Sequence, residues 1–257
     1  MNPNIHLAIT AGELLLVNGA EIFRVEQTIA MIARQMGAEK VDSFITPTGM
    51  MTSIAVDSDT NTYVRSIRSR GYDLTTVVEI NDLSRRFCAG EIQIEELAKR
   101  LSDLTNAEVR SSFDIRMALA SGFGALGFAY ILGLRNPLAL LYATINGFVV
   151  RAVLDMIETY TKVPGALAVL VSSFMLTALT FLYPDLSVSD QNLVALGGLI
   201  LLLPGVALST SFRELANGEL LSGISRLAEA LITLTMVAAG VISCYTFLPL
   251  LQEVLML

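Results

Sequence analysis

LVALGGLILLLPGVALSTSF, residues 193–212, runs for twenty positions without a charge. An α-helix rising 1.5 Å per residue covers about 30 Å in that length, the thickness of a bilayer's hydrocarbon core. Leu203-Pro204-Gly205 falls near its middle. Proline removes a backbone donor and clashes with the preceding turn, and glycine loosens the chain beside it. A kink or short unwound section is therefore expected there, either leaving carbonyls open to a polar substrate or ion or forming a packed kink with no transport role.

Four further apolar runs flank this one, at about 115–133, 137–153, 166–183 and 227–249. Arg135-Asn136-Pro137, Glu158 to Gly165, Pro184 to Gln191 and Arg213 to Arg226 punctuate them. The expectation is an all-α transmembrane bundle of about five helices over residues 113–257. Charge divides the same way. Residues 1–114 hold 27 of the 41 charged side chains, and the whole chain is only 16% charged against a usual quarter or so.

Alternating five spans from a cytoplasmic front end puts Arg110, Arg116, Arg151, Lys162, Arg213 and Arg226 at cytoplasmic ends and Arg135 outside. That matches the positive-inside bias and predicts an external C-terminus. In the first span, Ala118 with Gly122, Ala120 with Gly124, and Ser121 with Ala125 and Ala129 recur at four-residue spacing, a face for close helix packing.

Charges gather after the Pro204-Gly205 break: Arg213, Glu214, Glu219, Arg226 and Glu229. A carboxylate near hydrocarbon needs a partner or a wet cavity. Glu229, three residues beyond Arg226, is the proton-coupling candidate, set against a plain interfacial pair that anchors the helix. Asn146 in the second span can turn its amide to a substrate or to a neighbouring helix.

Residues 1–112 read as a small soluble α+β domain, and residues 1–114 are acidic by 16 residues to 11. Leu15, Ile22, Ile29 and Met36, with Val25 and Ile32, trace a helical stripe that Asn18-Gly19 could break and Gly37 closes. Residues 41–46, 51–56, 62–67 and 75–80 have strand composition, with turns at Pro47-Thr48-Gly49 and Asp57 to Asn61. Asn81 is placed to cap a short helix through Phe87, and 93–104 reads as another helix. Glu21, Arg24, Glu26, Asp42 and Asp57 supply the domain's carboxylate chemistry, although such charges are usually solvated pairs.

The lack of a basic stripe or stacking platform argues against nucleic-acid binding. His6, Cys88 and Cys244 have no spacing suited to metal ligation, and no cofactor motif occurs. The start MNPNIHLAITAGE lacks a signal-peptide pattern, so the front domain is expected to stay cytoplasmic, at a bacterial inner membrane.

Three stretches carry a family resemblance: Gly12-Glu13-Leu14-Leu15-Leu16-Val17-Asn18-Gly19-Ala20-Glu21 with Arg24-Val25-Glu26; Phe44-Ile45-Thr46-Pro47-Thr48-Gly49; and Pro204-Gly205 with Arg213-Glu214-Leu215, Gly218, Ser222-Gly223, Arg226 and Glu229-Ala230. The chain resembles the threonine/serine exporter family, specifically the larger component of its split, two-gene forms. The resemblance implies export of threonine and serine driven by the proton gradient, or export of succinate as in a related branch. It also implies a small second membrane subunit. Homo-oligomerisation is a further expectation. The family often carries aspartate where this chain has Glu214. Two rival readings remain: a membrane-tethered hydrolase using Glu21, Arg24, Glu26 and Asp42, and a sensory or assembly module.

Overall fold

The computed structural model describes residues 4–57, 59–67, 71–107, 115–161 and 163–255; Arg110 and Lys162, assigned above to cytoplasmic ends, lie outside them. In chain order the elements are α1 (His6–Val17), α2 (Ile22–Gln35), β1 (Lys40–Thr46), β2 (Gly49–Val56), β3 (Asp59–Ser66), α3 (Leu74–Cys88), α4 (Ile94–Ala107), α5 (Ile115–Ile131), α6 (Pro137–Tyr160), α7 (Gly165–Thr180), α8 (Val188–Leu199), a 3-10 turn (Ile200–Leu202), α9 (Gly205–Ala216) and α10 (Leu220–Leu255). The chain is mostly helical. It forms two compact units, one of Met1–Arg110 with Val206–Leu227 and one of Ser111–Gly205 with Ala228–Leu257.

In the first unit the stripe from Leu15 to Met36 splits as its Asn18-Gly19 pair suggested. Leu15, Ile22, Val25, Ile29 and Ile32 are all fully buried. Asn18 ends α1 by donating from Nδ2 to the Leu14 carbonyl at 2.9 Å. The sheet has order β1-β2-β3, antiparallel throughout. Ile45, Met50 and Ile54 face the core, while Phe44, Met51 and Val64 stand side by side in register on the exposed face.

The expected fourth strand at 75–80 is helix α3. The Asp73 carboxylate accepts from the Thr75 and Thr76 N–H groups, fixing a start that the β-branched run concealed. From there Val77, Ile80, Leu83 and Phe87 come round to one buried face. Asn81 therefore sits inside a helix rather than at its cap.

In the second unit α5 presents Ala118, Gly122, Ala125 and Ala129 inward. A Cβ on Gly147 of α6 would come 2.5 Å from the Ser121 carbonyl oxygen, and one on Gly197 of α8 would come 2.6 Å from that of Ala125. The small-residue face is thus an intrachain packing surface. Helices α6 (through Ile157) and α10 (through Phe247) are long and apolar enough to cross a bilayer, and the pair α8 and α9, broken between them, makes a third if counted as one span. By the same standard α5 and α7 are shorter, 17 and 16 residues, or about 26 and 24 Å at 1.5 Å per residue. Two or three spans by length and composition thus stand beside the five apolar runs.

Candidate functional site

The break expected at Pro204-Gly205 is present. Leu203 is extended (φ −72°, ψ 138°), as a residue before proline prefers, and α9 begins at Gly205. Twelve residues of α9, a turn at Asn217-Gly218 and the start of α10 then bring the charges beyond the break to the α1–α2 turn of the first unit. Residues some 190 positions apart meet there.

The deepest contact joins Glu214 and Arg226, 1% and 3% exposed. Arg226 Nε lies 3.1 Å from Glu214 Oε1, an ionic contact whose N–H is not aligned for a hydrogen bond. Its Nη2 donates to the Ala20 carbonyl at 2.9 Å. Glu214 Oε2 accepts from the Ser222 hydroxyl at 2.6 Å, and Oε1 is approached by the Ile22 N–H at 3.4 Å. The two charges are thereby compensated by each other and by their protein partners, and the pair ties α9 and α10 to the start of α2.

Next to this pair, Arg213 Nη1 donates to Glu21 Oε1. Arg24 Nε stands 3.5 Å from Glu21 Oε2. The Glu21 side chain is 10% exposed, whereas those of Arg24 and Arg213 are 41% and 63% exposed. A cavity of about 290 Å³ opens here, lined by Gly19, Ala20, Glu21, Arg24, Leu74, Val77, Val206, Ser209, Thr210 and Arg213. Gly19 must be glycine for two reasons: its φ is +83°, and a Cβ would meet the Tyr72 ring at 2.6 Å.

Glu26 lies on the other side of α2, in a separate groove of about 320 Å³ with Phe23, Gln27, Ala30, Val41 and Ser43. Burial, and secondarily the Glu219 carboxylate, push its carboxyl above the usual range. Asp42 is exposed and paired with Lys40 at 2.7 Å. Asp57 occupies the β2–β3 turn with φ +53°. Thr46, Pro47, Thr48 and Gly49 make the β1–β2 turn, where the Thr46 hydroxyl donates to the Gly49 carbonyl at 3.2 Å. Ile67 N donates to the Thr48 carbonyl at 2.9 Å, so the motif closes the sheet. It does not line the cavity.

In the second unit Asn146 is fully buried, and its Oδ1 accepts from the Tyr183 hydroxyl at 2.7 Å. Tyr183 stacks on Tyr142 with centroids 4.0 Å apart. The helix-to-helix role of Asn146 is therefore occupied on its oxygen side, while Nδ2 has no hydrogen-bond partner among the described residues. Glu229 is exposed on α10. Arg151 pairs with Asp155 at 2.7 Å along α6. Among the described residues no group of three or more His, Cys, Asp or Glu could hold a metal ion.

Reading the chain linearly finds Arg213, Glu214 and Arg226 as one cluster and Glu21 and Arg24 as another; their union is the structure's addition. It also adds Ser209 and Thr210, and it gives Ser222 a contact where the sequence offered only a motif position. Asp155 was missed, although its i+4 spacing from Arg151 was visible.

Apolar helices of bilayer length are those of a membrane protein. The chain belongs to the threonine/serine exporter family: the family described as "Putative threonine/serine exporter" matches residues 6–248. It is 26% identical over 251 residues to a protein of Mycobacterium tuberculosis (strain ATCC 25618 / H37Rv) named "Probable threonine/serine exporter", a match covering 93% of this chain and 45% of that protein. The chain thus spans less than half the length of this relative. No solved structure matches it.

Proposed function

We propose that this chain is a subunit of a membrane exporter for small hydrophilic metabolites, with threonine and serine as its substrates and the proton gradient as its driving force. Membership of the family supports the export reading. The observation that carries it furthest is the cluster of Glu21, Arg24, Arg213, Glu214 and Arg226, which draws on two of the three stretches that carry the resemblance. Charges as buried as Glu21, Glu214 and Arg226 are costly unless compensated, and one way to exploit them is to exchange a partner for a polar solute or a proton.

In this scheme residues 1–112 are cytoplasmic, residues 113–257 supply about five spans, and the C-terminus is external at the bacterial inner membrane. A small second membrane protein of the same family completes the pathway, consistent with a chain that spans 45% of its relative. Substrate approaches near the Pro204-Gly205 break, and Glu214 or Glu229 couples protonation to opening. The hydrolase reading loses ground because Glu21 and Glu26 line different cavities instead of sharing one.

A second substrate reading, export of a C4-dicarboxylate such as succinate, draws on two guanidiniums facing one carboxylate around the 290 Å³ cavity. Proteoliposomes holding this chain with its candidate second subunit, loaded in parallel with threonine, serine and succinate, test all of this. Threonine and serine efflux accelerated by an imposed proton gradient is expected. Succinate efflux alone selects the second reading, and no efflux of any of the three ends both.

A further inference from the structure

The cavity beside Glu21 has a charge pattern that suits more than one ligand class, and its geometry narrows the choice. Two half-exposed guanidiniums, from Arg24 and Arg213, reach the same mostly buried carboxylate. Arg213 engages Glu21 through Nη1, and a guanidinium has five N–H donors in a planar fork suited to a carboxylate. A carboxylate such as that of Glu21 offers about four acceptor positions, enough for a third cationic partner beside two arginines.

Helix ends add to this. Glu21 and Arg24 stand at the N-cap and in the first turn of α2, and Val206 lies in the first turn of α9, with Ser209 and Thr210 following. The positive ends of two helices therefore border the cavity and favour an anionic group. Asp73 already caps the third nearby helix start, that of α3. The remaining wall is apolar, from Leu74, Val77 and Val206. The volume is at the small end of ligand cavities, which run from about 300 to 1,000 Å³.

We infer that this cavity binds the zwitterionic head of a small α-amino acid, with Arg24 and Arg213 holding its carboxylate and Glu21 its ammonium. Glu21 is then the specificity-determining residue: it rewards a ligand with a positive charge and repels a second carboxylate. Ser209 and Thr210 lie where a short polar side chain would fit, and the apolar wall limits its length. This assignment rests on the exporter reading for its biological meaning, but binding to the chain can be measured without transport.

The test is calorimetric binding of L-threonine, L-serine and succinate to the full chain in detergent, with transport by the reconstituted complex measured separately. The wild type is expected to bind threonine and serine more tightly than succinate. Glu21→Gln should weaken threonine by about tenfold or more and spare or improve succinate, reversing the order; losing one charged contact is worth that much. Arg24→Gln should weaken all three. Because Glu21 variants could also disturb folding, Val206→Trp provides a charge-neutral block: binding should vanish while the thermal unfolding midpoint stays unchanged.

Wild-type preference for succinate, or threonine binding that survives both Glu21→Gln and Val206→Trp, overturns the assignment. If binding behaves as stated but the complex moves no substrate, the exporter reading fails and the site stands. If transport proceeds with an unchanged KM in all three variants, the site fails and the exporter reading stands.

Discussion

Glu214 and Arg226 are charges that water cannot reach, so the stability of the first unit depends on their mutual compensation. Removing one member leaves the other buried and unpaired, which typically costs about 3–5 kcal/mol, whereas replacing both with apolar residues of similar volume is often neutral. Arg226→Met alone should therefore destabilise the chain by that amount, and Glu214→Leu with Arg226→Met should recover most of it. Chemical unfolding of the detergent-solubilised protein, run as a double-mutant cycle, measures the coupling. Additive single effects would mean that the 3.1 Å contact carries no energy of its own. Ser222→Ala makes a milder probe. It withdraws a 2.6 Å hydrogen bond from a buried carboxylate and should cost about 1–3 kcal/mol.

At the scale of elements, α3 depends on one side chain. Burial raises the Asp73 carboxyl, but the hydrogen bonds it accepts from Thr76 and Thr75 outweigh this and hold it below the usual carboxylate range. A carboxyl depressed in the folded state contributes stability that is present above its unfolded pKa and fades as pH falls through the lower, folded one. Asp73→Ala should cost about 1 kcal/mol at neutral pH, the usual worth of an N-cap. Its deficit should shrink on acidification below the ordinary aspartate range, as unfolding curves of the two proteins across pH would reveal. A constant deficit would assign the loss to packing. The same helix shows why a linear reading falls short. Thr75 to Ile80 is β-branched or extended by composition, and only the cap together with the Val77, Ile80, Leu83 and Phe87 face overrides that preference. By contrast α1, α2, the β1–β2 turn and the break before Gly205 were legible, because Asn-Gly, Pro-Thr-Gly and Pro-Gly act locally on the backbone. The site was legible only in halves. Glu21 and Arg213 stand 192 positions apart, and nothing in the spacing of one chain records which distant charges will meet.

At the scale of the whole molecule, the second unit constrains which of the apolar helices cross the membrane together. Asn136, which caps α6 through the Leu138 N–H, also donates from Nδ2 to Asp190 Oδ2 in the first turn of α8, at 3.2 Å. The start of α6 and the start of α8 are therefore at one end of this unit. A chain that leaves along α6 must come back along α7, so if α6 spans the bilayer, α7 returns through it despite having only 16 residues. Tyr183, just past α7, reaches Asn146 in the third turn of α6, which agrees with a return to that end. Single cysteines at Leu132, Val163 and Val188, in a chain whose Cys88 and Cys244 are replaced by serine and alanine, would report this. An impermeant maleimide applied to intact cells should label Leu132→Cys and Val188→Cys together and leave Val163→Cys for inside-out vesicles. Labelling of Leu132→Cys and Val188→Cys from opposite sides would mean that α6 crosses without α7. The contact between Asn136 and Asp190 could not then survive in the membrane, and the five-span arrangement, with the export scheme built on it, would have to be abandoned.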